Sequence, residues 1–388
     1  LLLAAAAAVR FVLGPPGRSR SSQLLKPLSG PRLAPGLKSC PARRGTALST
    51  PSCLRIPLRP MLSSARPSSH CALSVSASET RILDEVSVPG RTKMLLGTNL
   101  LETAHSHLER YFPKAYRYVV VTDENVHGLH IPKLLQNLPP DMRTRTLIVR
   151  IPPGEQSKSR HWKNEIEDRM VEFGCGRDTL VIAFGGGVVG DLAGFVAATY
   201  MRGVPLLQVP TTVMAMVDSS IGGKTAINLP QGKNLIGSFH DPRLVIADFT
   251  LLDTLSPRLI SEGIAEVIKM GIIRSRDLLE LLEETTRDHK NRTYEERNLQ
   301  VNQQPKIHRL ISWAVKLKAE VVELDAKEAS IRSTLNFGHT AGHAIEAAAI
   351  NSEESLLHGE CVGIGMLVEI RAQRLLENKA GSSVKPTL

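Results

Sequence analysis

The segment at residues 178–201, DTLVIAFGGGVVGDLAGFVAATYM, constrains the fold of this chain more than any other. An apolar run leads into three consecutive glycines, and a second, longer apolar run follows them. Short apolar runs bounded by glycine are typical of buried strands, whereas longer ones are typical of helices. The segment therefore predicts a strand, a glycine-rich turn and a helix in direct succession.

Neighbouring segments repeat this order. We predict strands in YRYVVVTDENV (116–126), in TRTLIVRIPPGEQSKS (144–159) and in VPLLQVPTTVMAMVDSSIGGK (204–224). Strands that alternate with helices indicate an α/β domain with a largely parallel sheet. From about residue 255 onward, helical periodicity continues without a strand signal, for example in ISWAVKLKAEVVELDAKEA. We therefore predict that an all-helical domain follows the α/β domain.

Residues 1–78 have a different composition from the rest of the chain. They contain nine Arg and two Lys but no Asp or Glu, and they are rich in Ser, Pro and Ala. This composition is typical of an organelle transit peptide, although a tail without a purpose is the alternative. We expect a disordered targeting leader and a mature protein in the plastid stroma, with the mitochondrial matrix as the other destination.

The location of the charge decides which partners the sequence excludes. The whole chain carries a formal charge of +10 and the leader +11, so the remainder carries −1 and does not predict nucleic-acid binding. The opening LLLAAAAAVRFVLG is interrupted by Arg10 and is too short to span a bilayer, so we expect no membrane association in the mature form.

Outside the leader, Cys175 and Cys361 form no CxxC pair, which indicates a reducing compartment.

The glycine turn is the first feature with a functional interpretation. GGGVVG at 185–190 satisfies the G-x-G-x-x-G pattern between a predicted strand and a predicted helix, where backbone amides can approach a pyrophosphate. Asp123 and Asn125 end another predicted strand, where a carboxylate can bind ribose hydroxyls and so favours NAD. The acidic residue precedes the glycines, the reverse of the usual order, and a tight-packing turn without a ligand remains the alternative.

Further polar residues follow predicted strands. Glu155 and Lys158 lie in PPGEQSKS, where solvated surface charge is the alternative, and Thr211 and Thr212 follow VPLLQVP. In DSSIGGKTAINLPQGKN (218–234), Asp218 stands where a P-loop needs its first glycine, which argues against a Walker motif. On this predicted glycine-rich loop, three residues can bind a phosphate or an acidic substrate: Lys224, Lys233 and Asn234.

TLNFGHTAGHAIE at 334–346 suggests a metal site. His339 and His343 are four residues apart and so share one face of a helix. GIAEVIK supplies Glu266 and Lys269, and LLHGE supplies His358 and Glu360. One carboxylate and two imidazoles would leave a coordination position open for substrate, as in catalytic metal sites. Two helix-face histidines satisfied within a core are the alternative.

Several motifs in order resemble the 3-dehydroquinate synthase family: VDSSIGGKT, GKNLIG, AEVIK, LNFGHT-x-GHAIE and LHGE, behind GGGVVGD. The similarity extends from about residue 84 to 372, and HGECVGIGM looks most like the form at the head of the fused fungal shikimate-pathway polypeptide. The family converts a seven-carbon sugar-acid phosphate (DAHP) to 3-dehydroquinate and phosphate. It uses NAD⁺ and a divalent metal, usually Zn²⁺ with Co²⁺ as an alternative.

The resemblance also implies roles for individual residues. The metal ligands would be Glu266, His339 and His358, whereas His343 would lie at the substrate phosphate. The acid–base and catalytic group would be Glu328, His343 and Lys269. The NAD-binding positions would be Asp123, Glu124, Asn125, Glu155, Lys158, Gly186, Gly187, Val188, Asp191, Thr211, Thr212, Lys233 and Thr254. The substrate-binding positions would be Arg202, Asp218, Lys224, Asn234, Lys318, Arg332 and Asn336.

Together these interpretations predict an α/β protein. An N-terminal Rossmann-like parallel-sheet domain at 79–250 would precede an all-helical metal-binding domain at 251–388, shortened at its C-terminus relative to the family. The resemblance implies a homodimer in which the arginine of the MRG motif, Arg202, reaches the neighbouring site. Another sugar phosphate cyclase, or a folded homologue that does not turn over, remains open as an alternative.

Overall fold

A computed structural model describes residues 79–289, 305–349 and 356–380 of the chain. The predicted leader at 1–78 and the final residues of the chain lie outside the described residues. All described residues belong to one compact unit. Within them, no helix is long and apolar enough to cross a membrane.

Seven strands form the main sheet in the order β1-β2-β9-β6-β5-β3-β4, and β7 and β8 form a separate hairpin. Every pairing in the main sheet is parallel except that of β1 with β2. The strands are β1 Arg81–Val88, β2 Thr92–Thr98, β3 Arg117–Asp123, β4 Thr146–Ile151, β5 Thr179–Gly185, β6 Leu206–Pro210, β7 Lys224–Leu229, β8 Gly232–Phe239 and β9 Leu244–Asp248.

Ten α-helices accompany these strands in the described ranges. They are α1 Ala104–Tyr111, α2 Glu124–Gln136, α3 Pro140–Thr144, α4 Arg160–Glu172, α5 Gly187–Thr199, α6 Pro257–Arg274, α7 Arg276–His289, α8 Pro305–Leu324, α9 His339–Ala349 and α10 His358–Ala380. Short 3-10 helices cover Phe249–Thr254 and Ile331–Asn336, and a π-helix covers Ala215–Ser219.

The sheet is buried on both faces because its central strands are mostly apolar and almost entirely buried. Val120 of β3 packs with α1, α2 and α3 on one face, whereas Val119 and Val121 pack with α4 and α5 on the other. Side chains of a strand alternate between faces, so a continuous apolar run is what a covered parallel sheet requires. Each fully buried Val contributes about 1.5–3 kcal/mol of hydrophobic stabilisation.

A third apolar cluster joins the sheet to the C-terminal helices. Met94 of β2 and Val245 of β9 pack in it with Ile268 of α6 and Ile311 of α8. The mixed α/β architecture with a Rossmann-like parallel sheet and a helical C-terminal part confirms the predicted fold class. The division at residue 250 stays a prediction, although β9 ends at Asp248 and every later element of the described chain is helical.

The segment expected to be a glycine-rich loop at 218–234 is largely a β-hairpin, so that expectation was wrong. Lys224–Leu229 and Gly232–Phe239 pair as antiparallel strands. The alternation in KTAINL is short, and the flanking glycines masked it. Gly222 and Gly223 both have positive φ values, 96° and 65°, and form the turn that leads into the hairpin.

Candidate active site

The carboxyl ends of neighbouring parallel strands form the first half of the site. Gly185 of β5 is opposite Pro210 of β6, so the glycine turn and Thr211 lie side by side. Thr211 also donates its backbone N–H to the carbonyl of Gly185 at 3.0 Å. Ligands of open α/β sheets bind at this carboxyl edge, and the strand order changes direction beside the glycine turn, between β3 and β5.

The glycines of the turn serve packing and ligand access together. A Cβ at Gly186 would lie 3.3 Å from the Thr212 methyl, and one at Gly187 would lie 3.2 Å from Ser219 Oγ. Because no side chain caps the N-terminus of α5, its first backbone N–H groups remain able to bind a ligand. Val188 follows in the first turn of this helix. The arrangement fits a pyrophosphate, which a helix N-terminus attracts.

Two other predicted NAD-binding positions are placed by local contacts. Asp123 caps α2, and its Oδ1 accepts backbone N–H groups of Asn125 at 2.9 Å and Val126 at 3.1 Å. The exposed residues Glu124 and Asn125 therefore begin a helix directly at the end of β3. Thr254 lies near α2 as well, since its hydroxyl is 3.0 Å from Nε2 of His130.

A buried lysine organises the next part of the sheet edge. Lys158, only 4% exposed, contacts both the Asp191 carboxylate and the Asn234 side-chain oxygen. Asn228 reinforces this arrangement, because it donates to Glu155 at 2.7 Å and accepts the Asn234 backbone N–H at 3.0 Å. Three predicted NAD-binding residues and one predicted substrate-binding residue thus share one network.

Glu328, Lys224 and Asn336 form a second cluster. The Glu328 carboxylate contacts the Lys224 ammonium and accepts the Asn336 amide N–H at 3.1 Å. Burial would raise the pKa of Glu328, but the hydrogen bond and charge of Lys224 outweigh it and lower that pKa. The positive φ values of Glu328 (60°) and Asn234 (57°) are uncommon outside glycine, and such backbone conformations often accompany functional sites.

Asp325 orders the loop that carries Glu328. Its carboxylate accepts backbone N–H groups of Ala329, Ser330 and Arg332 at 2.9, 2.6 and 3.1 Å. These hydrogen bonds outweigh burial and lower the pKa of Asp325 to about 2. The backbone that follows Asp325 is therefore held in a fixed conformation.

The predicted carboxylate-binding residues are also buried. Lys318 contacts the Asp218 carboxylate and donates to the Asp218 carbonyl at 2.7 Å. Despite burial, the ammonium groups of Lys318 and Lys269 lower the pKa of the Asp218 carboxyl. Arg332 donates to the carbonyls of Ala326 and Gly222 at 2.7 and 3.0 Å, while its Nε has no hydrogen-bond partner. This end of the site therefore contains two buried cationic side chains, Lys318 paired with Asp218 and Arg332 with a free Nε.

Two helices and a turn bring three histidines together. The candidate ligand atoms of His339, His343 and His358 all lie within 4.8 Å of one another. α9 begins at His339, and Glu369 of α10 accepts the backbone N–H groups of Gly338 at 2.8 Å and Ala341 at 3.4 Å. This capping positions the imidazoles of α9 against the first turn of α10.

Glu266 lies on the other side of His339. Its Oε1 is 3.8 Å from His339 Nε2, and its Oε2 contacts the Lys269 ammonium. Glu266 and Lys269 are each only 2% exposed, and neither Glu266 oxygen has a hydrogen-bond partner of good geometry. A buried carboxylate with unsatisfied oxygens beside imidazoles fits a divalent cation, which would supply the missing interactions.

The protonation of the histidines is consistent with that fit. Burial, aided by Lys269, lowers the pKa of His339, and burial with the charge of His358 lowers that of His343. Burial alone would lower the pKa of His358, but its contacts with Glu346 and Glu266 raise it instead. A metal ligand must be the neutral imidazole, so metal binding at His358 would compete with protonation of its ring.

The hairpin connects the two halves of the site. Asn234 of β8 contacts Lys158 at the sheet edge, whereas the preceding residue, Lys233, donates to Glu346 of α9 at 2.8 Å. Glu346 in turn lies 3.4 Å from Nδ1 of His358. The structure therefore connects the glycine-turn side to the imidazole cluster through side-chain contacts. Arg202 differs from the others: it is exposed, has a φ of 68°, and forms no hydrogen bond or ion pair with another predicted site residue among those described.

Three residues of the site escaped the sequence analysis. Asn228, Glu346 and His130 each contact a predicted site residue rather than forming part of a recognised metal or phosphate pattern. Only Glu346 had a signal, because it lies three residues after His343 and seven after His339, on the same helix face. The other two depend on contacts between distant segments.

The comparisons with known proteins identify the family. The model of the 3-dehydroquinate synthase N-terminal domain matches residues 148–262, and that of the C-terminal domain matches residues 263–385. A 3-dehydroquinate synthase from Symbiobacterium thermophilum is 42% identical over 303 residues, covering 74% of this chain and 81% of its own.

A fungal relative and a solved structure extend this similarity. The pentafunctional AROM polypeptide of Candida tropicalis is 45% identical over 267 residues, 67% of this chain. The chain spans only 17% of that polypeptide's length. The solved structure of 2-epi-5-epi-valiolone synthase from Streptomyces hygroscopicus subsp. jinggangensis 5008, with NAD⁺ and Zn²⁺ bound, is 30% identical with a TM-score of 0.62. It covers 74% of this chain and 75% of its own.

These matches confirm the resemblance inferred from the motifs. Both halves of the family model match in order across the glycine turn, the hairpin and the imidazole cluster. The chain belongs to the 3-dehydroquinate synthase family.

Proposed function

We propose that this chain converts DAHP to 3-dehydroquinate and phosphate, the second step of the shikimate pathway towards the aromatic amino acids. The observation that carries the proposal is the contact of the β7–β8 hairpin with both halves of the site. Through Asn234 it meets the Lys158 network, and through Lys233 it meets Glu346 beside His358. Membership of the family and the bacterial relative of similar length support the same activity.

Two cofactors belong to this proposal. NAD⁺ would lie at the uncapped N-terminus of α5, and Zn²⁺ or Co²⁺ would be held by Glu266, His339 and His358. When bound, NAD⁺ takes up and returns a hydride, while the dication acidifies a substrate hydroxyl. The solved valiolone synthase contains NAD⁺ and Zn²⁺, which supports this pair of cofactors.

The chain's own residues neutralise and orient an anionic substrate. Lys224 and Asn234, together with the exposed His343, would bind the phosphate, and an imidazole with a lowered pKa can accept a proton there. Lys318 and the unpartnered Nε of Arg332 would face the carboxylate. Glu328 would exchange protons with the substrate, because Lys224 lowers the pKa of its carboxyl and keeps it ionised, so that it is able to accept a proton.

The decisive experiment measures phosphate release from DAHP by the purified protein. Turnover should require NAD⁺, stop after chelation of the metal, and return on addition of Zn²⁺. A sugar phosphate of equal length without the carboxylate should be turned over at least about 100-fold more slowly, because Lys318 and Arg332 would lose a charged partner. Turnover that needs neither cofactor, or that prefers the second substrate, would contradict the proposal; the latter result would assign another cyclase activity.

Two further proposals concern assembly and destination. We propose a homodimer in which Arg202 contributes to the partner's site, since it lies apart from its own cluster. Mixing an Arg202→Ala protein with a Lys318→Met protein should restore some activity if the subunits exchange, because one site then has both residues.

A plastid destination follows from the composition of residues 1–78. Their fusion to a fluorescent reporter should direct it to plastids, and a mitochondrial signal would support the alternative.

A further inference from the structure

Glu346, the last residue of the LNFGHT-x-GHAIE motif, lies between the two halves of the site, and the motif resemblance assigns it no role. It lies on α9 with His339 and His343, and spacings of four and three residues place all three on one helix face. That face is directed at the N-terminus of α10, where His358 is the first residue. The Glu346 side chain is only 13% exposed.

Its two oxygens have different partners. Oε2 lies 3.4 Å from Nδ1 of His358, and Oε1 accepts a hydrogen bond from the Lys233 ammonium at 2.8 Å. The His358 side chain is 31% exposed, so packing alone does not fix its ring. An imidazole that donates from Nδ1 to a carboxylate has Nε2 as its free base. The contact therefore selects which nitrogen of His358 is available to a cation.

We propose that Glu346 is a positioning residue that orients His358 for metal binding and ties Lys233 of the hairpin to the metal centre. Carboxylates that hold the second nitrogen of a ligating histidine commonly change metal affinity by 10–100-fold when they are removed. The inference rests on the proposed ligand set of Glu266, His339 and His358. It assigns to Glu346 no contact with substrate.

The geometry separates this role from that of a ligand. Glu346 Oε1 is already bound to Lys233, and Oε2 points at the ring nitrogen of His358. A positioning carboxylate can be replaced by an amide, because the Gln side-chain oxygen still accepts the Nδ1–H bond. A ligand carboxylate cannot be replaced in this way without loss of the metal. The Glu346→Gln variant therefore distinguishes the two roles.

The test measures Zn²⁺ affinity by competition with a chromophoric chelator, using purified full-length protein from which the metal has been removed. We expect Glu346→Ala to weaken Zn²⁺ binding 10–100-fold and Glu346→Gln to weaken it less than about fivefold. Glu320→Ala, on the exposed face of α8, is the matched control and should bind as the unaltered protein does. Circular dichroism of each metal-free variant establishes that it is folded, and Glu346→Leu, which also removes the acceptor and should weaken binding 10–100-fold, serves if the alanine variant is not.

A second readout reports the orientation of His358 directly. With Co²⁺ in place of Zn²⁺, the visible absorption of the Glu346→Ala protein should change in intensity and position, while the Glu346→Gln spectrum should remain close to that of the unaltered protein. Lys233→Met should leave Zn²⁺ affinity within about threefold, because it leaves the Nδ1 contact in place.

The outcomes are separable. If the unaltered protein fails to bind Zn²⁺, or if His358→Ala binds as well as it does, the proposed ligand set is wrong and this inference falls with it. If His358→Ala loses the metal while Glu346→Ala keeps full affinity, only the positioning role is overturned. If Glu346→Gln loses the metal as completely as His358→Ala, Glu346 is a ligand and the positioning role is also overturned.

Discussion

The glycine-turn edge and the imidazole cluster are built by different means. The glycine-turn edge is built from the backbone: strand ends in register, the uncapped N-terminus of α5 and close approaches that only glycine permits. The cluster is made of side chains on α6, α9 and α10, and its residues face one another through long-range contacts. The glycine-turn edge should tolerate many side-chain changes, whereas the imidazole cluster should lose metal binding when one ligand side chain is removed.

The largest expected effect contrasts two histidines of α9. His339→Ala should weaken Zn²⁺ binding at least about 1000-fold, because one of three proposed ligands is lost. His343→Ala should retain Zn²⁺ within about tenfold while phosphate release from DAHP falls, since we place His343 at the substrate phosphate. Metal content after dialysis and chelator competition measure both. Equal loss of Zn²⁺ in the two variants would show that His343 is a ligand and would break the proposed set.

The second effect concerns the part of the glycine-turn edge that a buried side chain, Lys158, organises. Lys158→Met should lower the free energy of unfolding by about 3 kcal/mol, because it leaves the half-buried Asp191 carboxylate without its cation. Urea denaturation of the metal-free protein measures the change. The control is Lys133→Met, whose ion pair with Glu102 at 3.4 Å is exposed and should contribute less than about 1 kcal/mol. Equal stabilities for the two variants would mean that the buried network contributes nothing.

The sequence predicted the backbone half of this comparison well. The apolar run before Gly185 and the glycines after it determine the strand, the turn and the helix locally, so their interpretation did not depend on distant segments. The hairpin was missed because its pairing joins residues on either side of the turn at 230–231. The glycines of the segment, Gly222, Gly223 and Gly232, favoured a loop interpretation.

The imidazole half was less accessible to sequence reasoning. Spacing placed His339 and His343 on one face, but their distances to Glu266 and His358 depend on how α6 and α10 pack against α9. Close approach at Gly359, where a Cβ would lie 2.1 Å from the Glu262 carbonyl, decides that packing. Only the family resemblance suggested the ligand set. Glu346 shows the same limit, since its partners are 12 and 113 residues away.

A third prediction concerns pH and the loop after Asp325. Its carboxyl has a pKa of about 2 in the folded chain, compared with about 3.9 in an unfolded one, so its stabilising effect is complete above about pH 4. That effect should disappear as the pH falls from about 4 towards 2, where the folded form also becomes protonated. Asp325→Asn should therefore melt below the unaltered protein at pH 6, and the difference should shrink towards pH 2. A difference that does not vary with pH would contradict the prediction.

The same variant should lower kcat/KM for DAHP on the order of tenfold, because Glu328, the proposed acid–base group, follows in the loop, and small displacements of such a group reduce the rate. The exposed Asp277→Asn change is the control for both measurements. If Asp325→Asn is less stable but fully active, the loop conformation matters for folding alone, and Glu328 does not depend on it.

The smallest effect tests how the backbone supports the imidazole cluster. Glu369 accepts backbone N–H groups at the start of α9, so Glu369→Ala should cost about 1 kcal/mol of stability, as the loss of a helix cap does. Because His339 is the first residue of that helix, Zn²⁺ affinity should also fall about threefold to tenfold. Glu377→Ala, on the exposed last turns of α10, should change neither quantity. If Glu369→Ala loses stability but keeps its metal affinity, the cluster is held by its side chains alone, and the contrast with the glycine-turn edge becomes sharper.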